Sequence, residues 1–168
     1  MKKLFATVLF IFSIFLLIGY TQTTQAQQNI QQGEVVTLPK ETTINQDYFA
    51  WGESVHISGT VNGDAYVAGG DVIIDGTING ELLVAGGSVN IKGDVLQDVR
   101  VLAGQVIFSG KSGGNLTAGG GSVEIIDNAQ IGGSLVSPAG NLTIFAPISK
   151  GATLAAGDIL IGNEIKGD

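Results

Sequence analysis

The sequence predicts an all-β fold, a parallel β-helix in which one short unit coils repeatedly and stacks its apolar side chains into a single column. Two observations carry the prediction. Residues 64–80 (DAYVAGGDVIIDGTING) and 81–97 (ELLVAGGSVNIKGDVLQ) align as two 17-residue lines, sharing glycines at Gly69/Gly86, Gly70/Gly87 and Gly76/Gly93 and aliphatics at Val67/Val84, Val72/Val89, Ile74/Ile91 and Ile78/Val95. Within a line, apolar residues fall at the second, fourth, ninth, eleventh and fifteenth places, a period of two interrupted by glycine. That pattern describes three very short strands per circuit. The 26 glycines and the many β-branched residues leave no helical stripe in the body of the chain.

Taken in order, residues 1–26 read as a targeting segment. Lys2 and Lys3 precede an apolar run from Leu4 to Tyr20, and Thr24, Gln25 and Ala26 offer a small-residue cleavage site. This predicts a signal peptide or an uncleaved N-terminal anchor, since a run of this length stands at the lower limit for spanning a bilayer. Either way the repeats are expected outside the cytoplasm, as a secreted, cell-envelope or membrane-anchored protein. Residues 27–46 are expected to be a polar linker, then an irregular capping circuit that contains Pro39.

Residues 47–168 form the repeat domain. The ruler fits seven rungs, six of 17 residues and one, from Asn115, with two extra residues placed in the turn around residues 126–130. Ser112 and Ser137 occupy inward places that other rungs fill with aliphatics. The glycines Gly69, Gly70, Gly86, Gly87, Gly120 and Gly121 mark a corner that needs positive φ or close backbone approach. Seven circuits at strand spacing make a rod about 35 Å long. The absence of cysteine is compatible with such a rod, which needs no disulfide.

Function has to reside on the outward columns or the ends. The third places carry Phe49, Tyr66, Leu83, Arg100, Thr117, Val136 and Thr153, and the tenth carry His56, Ile73, Asn90, Ile107, Glu124, Thr143 and Leu160. Neither repeats one polar type, so neither is the threonine ladder of an ice-binding surface; the apolar members suit lateral contact or are simply scattered surface hydrophobes. Asp47, Asp64, Glu81 and Asp98 occupy the first place of four successive rungs. Their carboxylates make an acidic column that is either a solvated edge or a ladder attracting calcium, although the spacing is not that of calcium-binding β-rolls. We assign no metal or cofactor. The net charge of −7 excludes a nucleic-acid partner, whose phosphates need a basic face.

Catalytic constellations are missing from the sequence. His56 is the only histidine, and Asp64, Asp71 and Asp75 are better explained as turn residues beside glycine than as a carboxylate pair. Trp51 falls at a corner, and the Asn-Leu-Thr triplets at Asn115 and Asn141 match a glycosylation sequon while also being ordinary repeat residues. The chain reads as a non-enzyme. At the far end, residues 164–168 open another rung without a cap, so Leu154, Ile159, Ile161 and Ile165 are expected to form an apolar disc that a second copy covers; a longer chain would place further rungs there instead.

The line GDAYVAGGDVIIDGTING at residues 63–80, repeated less perfectly from Gly80, resembles the bactofilins, a family of polymer-forming bacterial cytoskeletal proteins, over residues 47–168. The resemblance implies a right-handed helix that polymerises end to end without nucleotide, often at a membrane. Typical members are cytoplasmic; with its export signal this chain is similar to an exported variant, for which an envelope scaffold is the natural role. The partner implied is the chain itself, with a membrane or cell-wall component as a further one. The alternative is an envelope module that binds polysaccharide or protein through an outward face.

Overall fold

The computed structural model describes residues 29–148 and 150–166. The expected targeting segment, residues 1–26, lies outside them. Within them the chain is a right-handed parallel β-solenoid of eight turns with no helix, so none is long and apolar enough to cross a membrane.

Each turn contributes one ten-residue strand, and most contribute a further two-residue strand. The long strands are β1 (Asn29–Leu38), β3 (Tyr48–Ile57), β5 (Ala65–Ile74), β7 (Leu82–Ile91), β9 (Val99–Phe108), β11 (Leu116–Ile125), β13 (Leu135–Ile144) and β14 (Ala152–Ile161). The short ones are β2 (Thr43–Ile44), β4 (Thr60–Val61), β6 (Thr77–Ile78), β8 (Asp94–Val95), β10 (Lys111–Ser112) and β12 (Gln130–Ile131). They form an eight-stranded and a six-stranded parallel sheet, each in order of rungs. The expected three strands are therefore three sides of a coil, with two of them fused across a bend. Side chains alternate on both arms of β5, but Gly69 and Gly70 interrupt the alternation, and the ladder passes from Gly69↔Gly86 directly to Asp71↔Ser88.

Alternation decides what is inside. The five inward places of the rung from Asp64 hold Ala65, Val67, Val72, Ile74 and Ile78, all buried, and those of the rung from Glu81 hold Leu82, Val84, Val89, Ile91 and Val95. Each large aliphatic so buried contributes about 1.5–3 kcal/mol. Ser112 and Ser137 are equally buried and occupy their inward places without loosening the stack. The Ser137 hydroxyl donates to the Ala118 carbonyl one rung away at 2.7 Å, and that of Ser112 lies 3.2 Å from the carbonyls of Gln97, Gly114 and Asn115. A buried hydroxyl with a carbonyl partner carries little penalty.

The first circuit differs from expectation. Its strand begins inside the expected linker: Asn29–Leu38 pairs with β3 from Asn29↔Tyr48 to Leu38↔Ile57. The offset there is 19 residues, returning to 17 at Thr43↔Thr60, so two extra residues sit in the corner at residues 39–42. The same corner holds the insertion expected near residue 126: Ile125 pairs with Phe108 and Gln130 with Lys111, leaving four residues where that rung has two. Both enlarged corners close alike, Thr42 N–H donating to the Pro39 carbonyl at 2.9 Å and Ala129 N–H to that of Ile126 at 3.0 Å. Pro39 thus stands at a bend where its missing N–H is not called on.

The glycines serve close approach rather than positive φ, which among the described residues only Gly151 adopts. A Cβ on Gly70 or Gly87 would lie 2.7 or 2.8 Å from the carbonyl oxygen one rung below. The constraint is tighter in the column Gly59, Gly76, Gly93 and Gly110, where the added atom would run into a backbone carbonyl. At this corner two successive N–H groups, those of Asp75 and Gly76, converge on the Ile57 carbonyl at 3.0 Å, drawing the backbones together. Gly93→Ala is expected to lower stability by about 2–3 kcal/mol in chemical denaturation followed by circular dichroism. Gly33→Ala, whose Cβ would meet nothing nearer than 3.5 Å, should be close to neutral.

Candidate functional site

Four outward features present groups capable of binding or reacting: the acidic column, a polar cluster around His56, the flat side carrying the third and fifth places, and the last described rung.

In the acidic column the carboxylates take on a backbone task. At this corner the second-place N–H reaches up to the first-place carbonyl of the next rung, as from Ala65 to Glu81 at 2.9 Å and from Val99 to Asn115 at 2.9 Å. The first-place N–H has no carbonyl in line, and the residue beneath supplies an acceptor: Asp64 N–H donates to Asp47 Oδ1 at 3.0 Å, Glu81 N–H to Asp64 Oδ1 at 2.8 Å and Asn115 N–H to Asp98 Oδ1 at 2.8 Å. Asn115 Oδ1 continues the ladder to Ser134 N–H at 2.9 Å. The glycine just before each acceptor-bound residue is part of the device, since a Cβ on Gly63, Gly80, Gly114 or Gly133 would strike that oxygen.

Glu81 is the exception, and the sequence around it changes accordingly. Its side chain is one carbon longer, Gln97 replaces the glycine, and its carboxylate pairs with Arg100, which also reaches Asp98 Oδ2 at 3.2 Å. The Glu81 carboxylate keeps Arg100 firmly cationic. Among the described residues no three His, Cys, Asp or Glu side chains converge as a metal site would require. The column thus acts as a structural spine. Removing one acceptor strands one backbone N–H, so Asp64→Ala should cost about 1–2 kcal/mol. Asp64→Asn, which keeps Oδ1 as at Asn115, should keep most of that stability in the same denaturation assay.

His56 is not an isolated surface residue. Its Nε2 lies 3.2 Å from Asp75 Oδ1 and 3.1 Å from Ser58 Oγ. A serine, a histidine and an aspartate meet here, but both partners address the same ring nitrogen. In a nucleophilic relay the carboxylate orients one nitrogen while the other takes the hydroxyl proton, so this arrangement joins two rungs and activates nothing. The Ser58 hydroxyl and then the His56 ring hold the Asp75 carboxyl below its ordinary value. A depressed carboxylate stabilises the fold above its unfolded pKa, near 3.8, and loses that contribution as pH falls through the folded value. Denaturation at pH 7 and pH 3 should therefore show a small deficit of Asp75→Asn against the parent at pH 7, under about 1 kcal/mol for so exposed a pair, that narrows at pH 3.

The columns considered from sequence omitted three others. Asn45, Asn62 and Asn79 form a side-chain ladder with amide contacts of 2.7 and 2.6 Å, beside Thr43, Thr60 and Thr77 in register on β2, β4 and β6. The third omission is the fifth place: Trp51, Ala68, Ala85 and Leu102 run parallel to Phe49, Tyr66, Leu83 and Arg100 on the same side of the coil. Phe49 and Tyr66 stack with ring centroids 4.8 Å apart and planes 8° apart. Tyr66 and Trp51 are 37% exposed, Leu83 49% and Leu102 65%, making an apolar stripe with a shallow groove over Ala68 and Ala85. Asp64 stands two residues before Tyr66, so the acidic spine runs along the edge of the stripe, and its carboxylate pushes the Tyr66 phenol above its usual pKa. In the tenth-place column, the Asn90 carboxamide oxygen is buried without a partner among the described residues, and nothing in the structure explains it.

On the last described rung, Ile159 and Ile161 are 46% and 45% exposed, whereas their counterparts Leu142 and Ile144 one rung below are 1% and 0%. Leu154 and Ile165 are half-buried against the core, Ile165 bridging to Ile148. Comparison of the chain with protein-family models, with curated proteins and with solved structures gives no match.

Proposed function

We propose that this protein is a structural, self-associating scaffold of the extracytoplasmic space, a bactofilin-like rod that assembles end to end through its terminal rungs. The observation that supports it most is the constancy of register. Apart from the two enlarged corners, every long strand lies over the next at an offset of 17 residues. A rung therefore offers the same ladder to whatever lies above it. β14 is an edge strand among the described residues, with Ile159 and Ile161 uncovered, and β1 is the opposite edge. An edge strand over an apolar disc is a template for another parallel strand. A contact between unlike ends repeats without closing and generates a filament.

The leader composition of residues 1–26 supports export, and the acidic, cysteine-free body is compatible with an envelope location. The reading of the chain as a non-enzyme draws support from the way each candidate group is engaged: the carboxylate column in backbone hydrogen bonds, His56 in a cross-rung contact.

Sedimentation and negative-stain microscopy of the purified chain should show filaments that lengthen with concentration. Ile161→Arg should disperse them while leaving the β circular dichroism unchanged. A chain that stays monomeric at high concentration refutes end-on assembly, and cell-wall material that retains the Ile161→Arg protein would favour an envelope-binding module instead.

A further inference from the structure

The apolar stripe of the third and fifth places is independent of the two ends, and its composition and shape say what covers it. The chain carries eight Lys and Arg and fifteen Asp and Glu, yet the third and fifth places of all eight rungs include a single charge, Arg100. That guanidinium is turned to the edge, where Glu81 and Asp98 hold it. Eight strands at about 4.8 Å by four residues at about 3.3 Å give a face near 38 by 13 Å, so two such faces closing together bury about 1,000 Å² in all, the lower limit for specific pairing.

We propose that this face pairs two copies of the chain side by side, their rods parallel and related by a two-fold axis along the rod. Relief and charge both select that arrangement. A two-fold axis along the rod sets each third place opposite a fifth place at the same height. Tyr66 then meets the partner copy's Ala68 position and Leu83 meets that of Ala85, large against small in these two rungs. The groove over Ala68 and Ala85 is the recess that receives the incoming Tyr66 and Leu83. A two-fold axis across the rod would instead oppose third places to third places, large against large. It would also lay one acidic spine beside the other, whereas the parallel arrangement holds the two spines at opposite edges of the interface. Like charges brought together cost affinity, so the spine acts as a selector of orientation.

The chain lacks cysteine, so single introduced thiols report the pairing. The full chain carrying Ile161→Arg, which blocks the upper end, is expressed in cells as Leu83→Cys, as Ala85→Cys, or as both together, and treated with a short bismaleimide. Mixed expression should yield cross-linked dimer several-fold above either variant alone. Adding Ala68→Arg, which fills the recess on an exposed surface, should abolish it, while Thr77→Arg on another side of the coil should not. Cross-linking of Leu83→Cys with itself as strongly as in the mixture overturns the parallel arrangement, and absence of dimer overturns the pairing. Transfer of label from a photoactivatable phospholipid to position 83 in place of dimer would give the face to a membrane and also overturn it. Because the upper end is blocked throughout, failure of lateral pairing and failure of end-on assembly remain separate results.

Discussion

The vertical distance between rungs is the constraint from which the rest of this molecule follows. Parallel strands one above another must approach to hydrogen-bonding distance along every side of the coil, including the corners, where side chains would otherwise prop the backbones apart. Gly59, Gly76, Gly93 and Gly110 are the response at one corner, and the pairing of an aspartate below with a glycine above is the response at another. With the spacing fixed, each inward place lies on its homologue in the next rung, and the core becomes a stack of matched aliphatic layers. The same spacing makes outward residues into columns, so one unusual residue is local while a repeated one becomes a surface.

Most of the coil was legible in the sequence because a period of two and a period of 17 are both visible in apolar residues alone. All five inward places are buried in the rungs from Asp47 to Ser134, including those held by Ser112 and Ser137. The first turn was expected as an irregular circuit after a linker, and the start of its strand at Asn29 was not legible for a physical reason. Its inward place at Gln31 is polar, the side chain accepting a hydrogen bond from the buried Tyr48 hydroxyl at 2.9 Å, so no hydrophobic alternation announces the strand. Backbone pairing with β3 formed it nonetheless. For the corner glycines close backbone approach was one of two expected causes, and choosing it over positive φ depends on a stacking distance that a linear chain does not display.

The surface was less legible than the core. The acidic residues could be placed in a column from spacing, but their engagement with N–H groups depends on how the corner tilts the backbone, and no residue pattern encodes that directly. The fifth-place column escaped notice since Ala68 and Ala85 are unremarkable alone; they matter only as the floor between Tyr66, Leu83 and Leu102. His56 and Asp75 stand 19 residues apart, in different rungs and on either side of a corner, so neither the period nor local order brings them together.

The two enlarged corners, at residues 39–42 and 126–129, occupy the one vertex of the coil that faces away from the apolar stripe. Extra chain there is absorbed as a local loop, and the ladder resumes in phase immediately afterwards, as Thr43↔Thr60 and Gln130↔Lys111 demonstrate. That vertex thus tolerates added length where it does not tolerate an added Cβ at Gly59, Gly76, Gly93 or Gly110: peptides spliced in as whole loops would project from the rod's back, away from the core, the charged spine and the pairing surface.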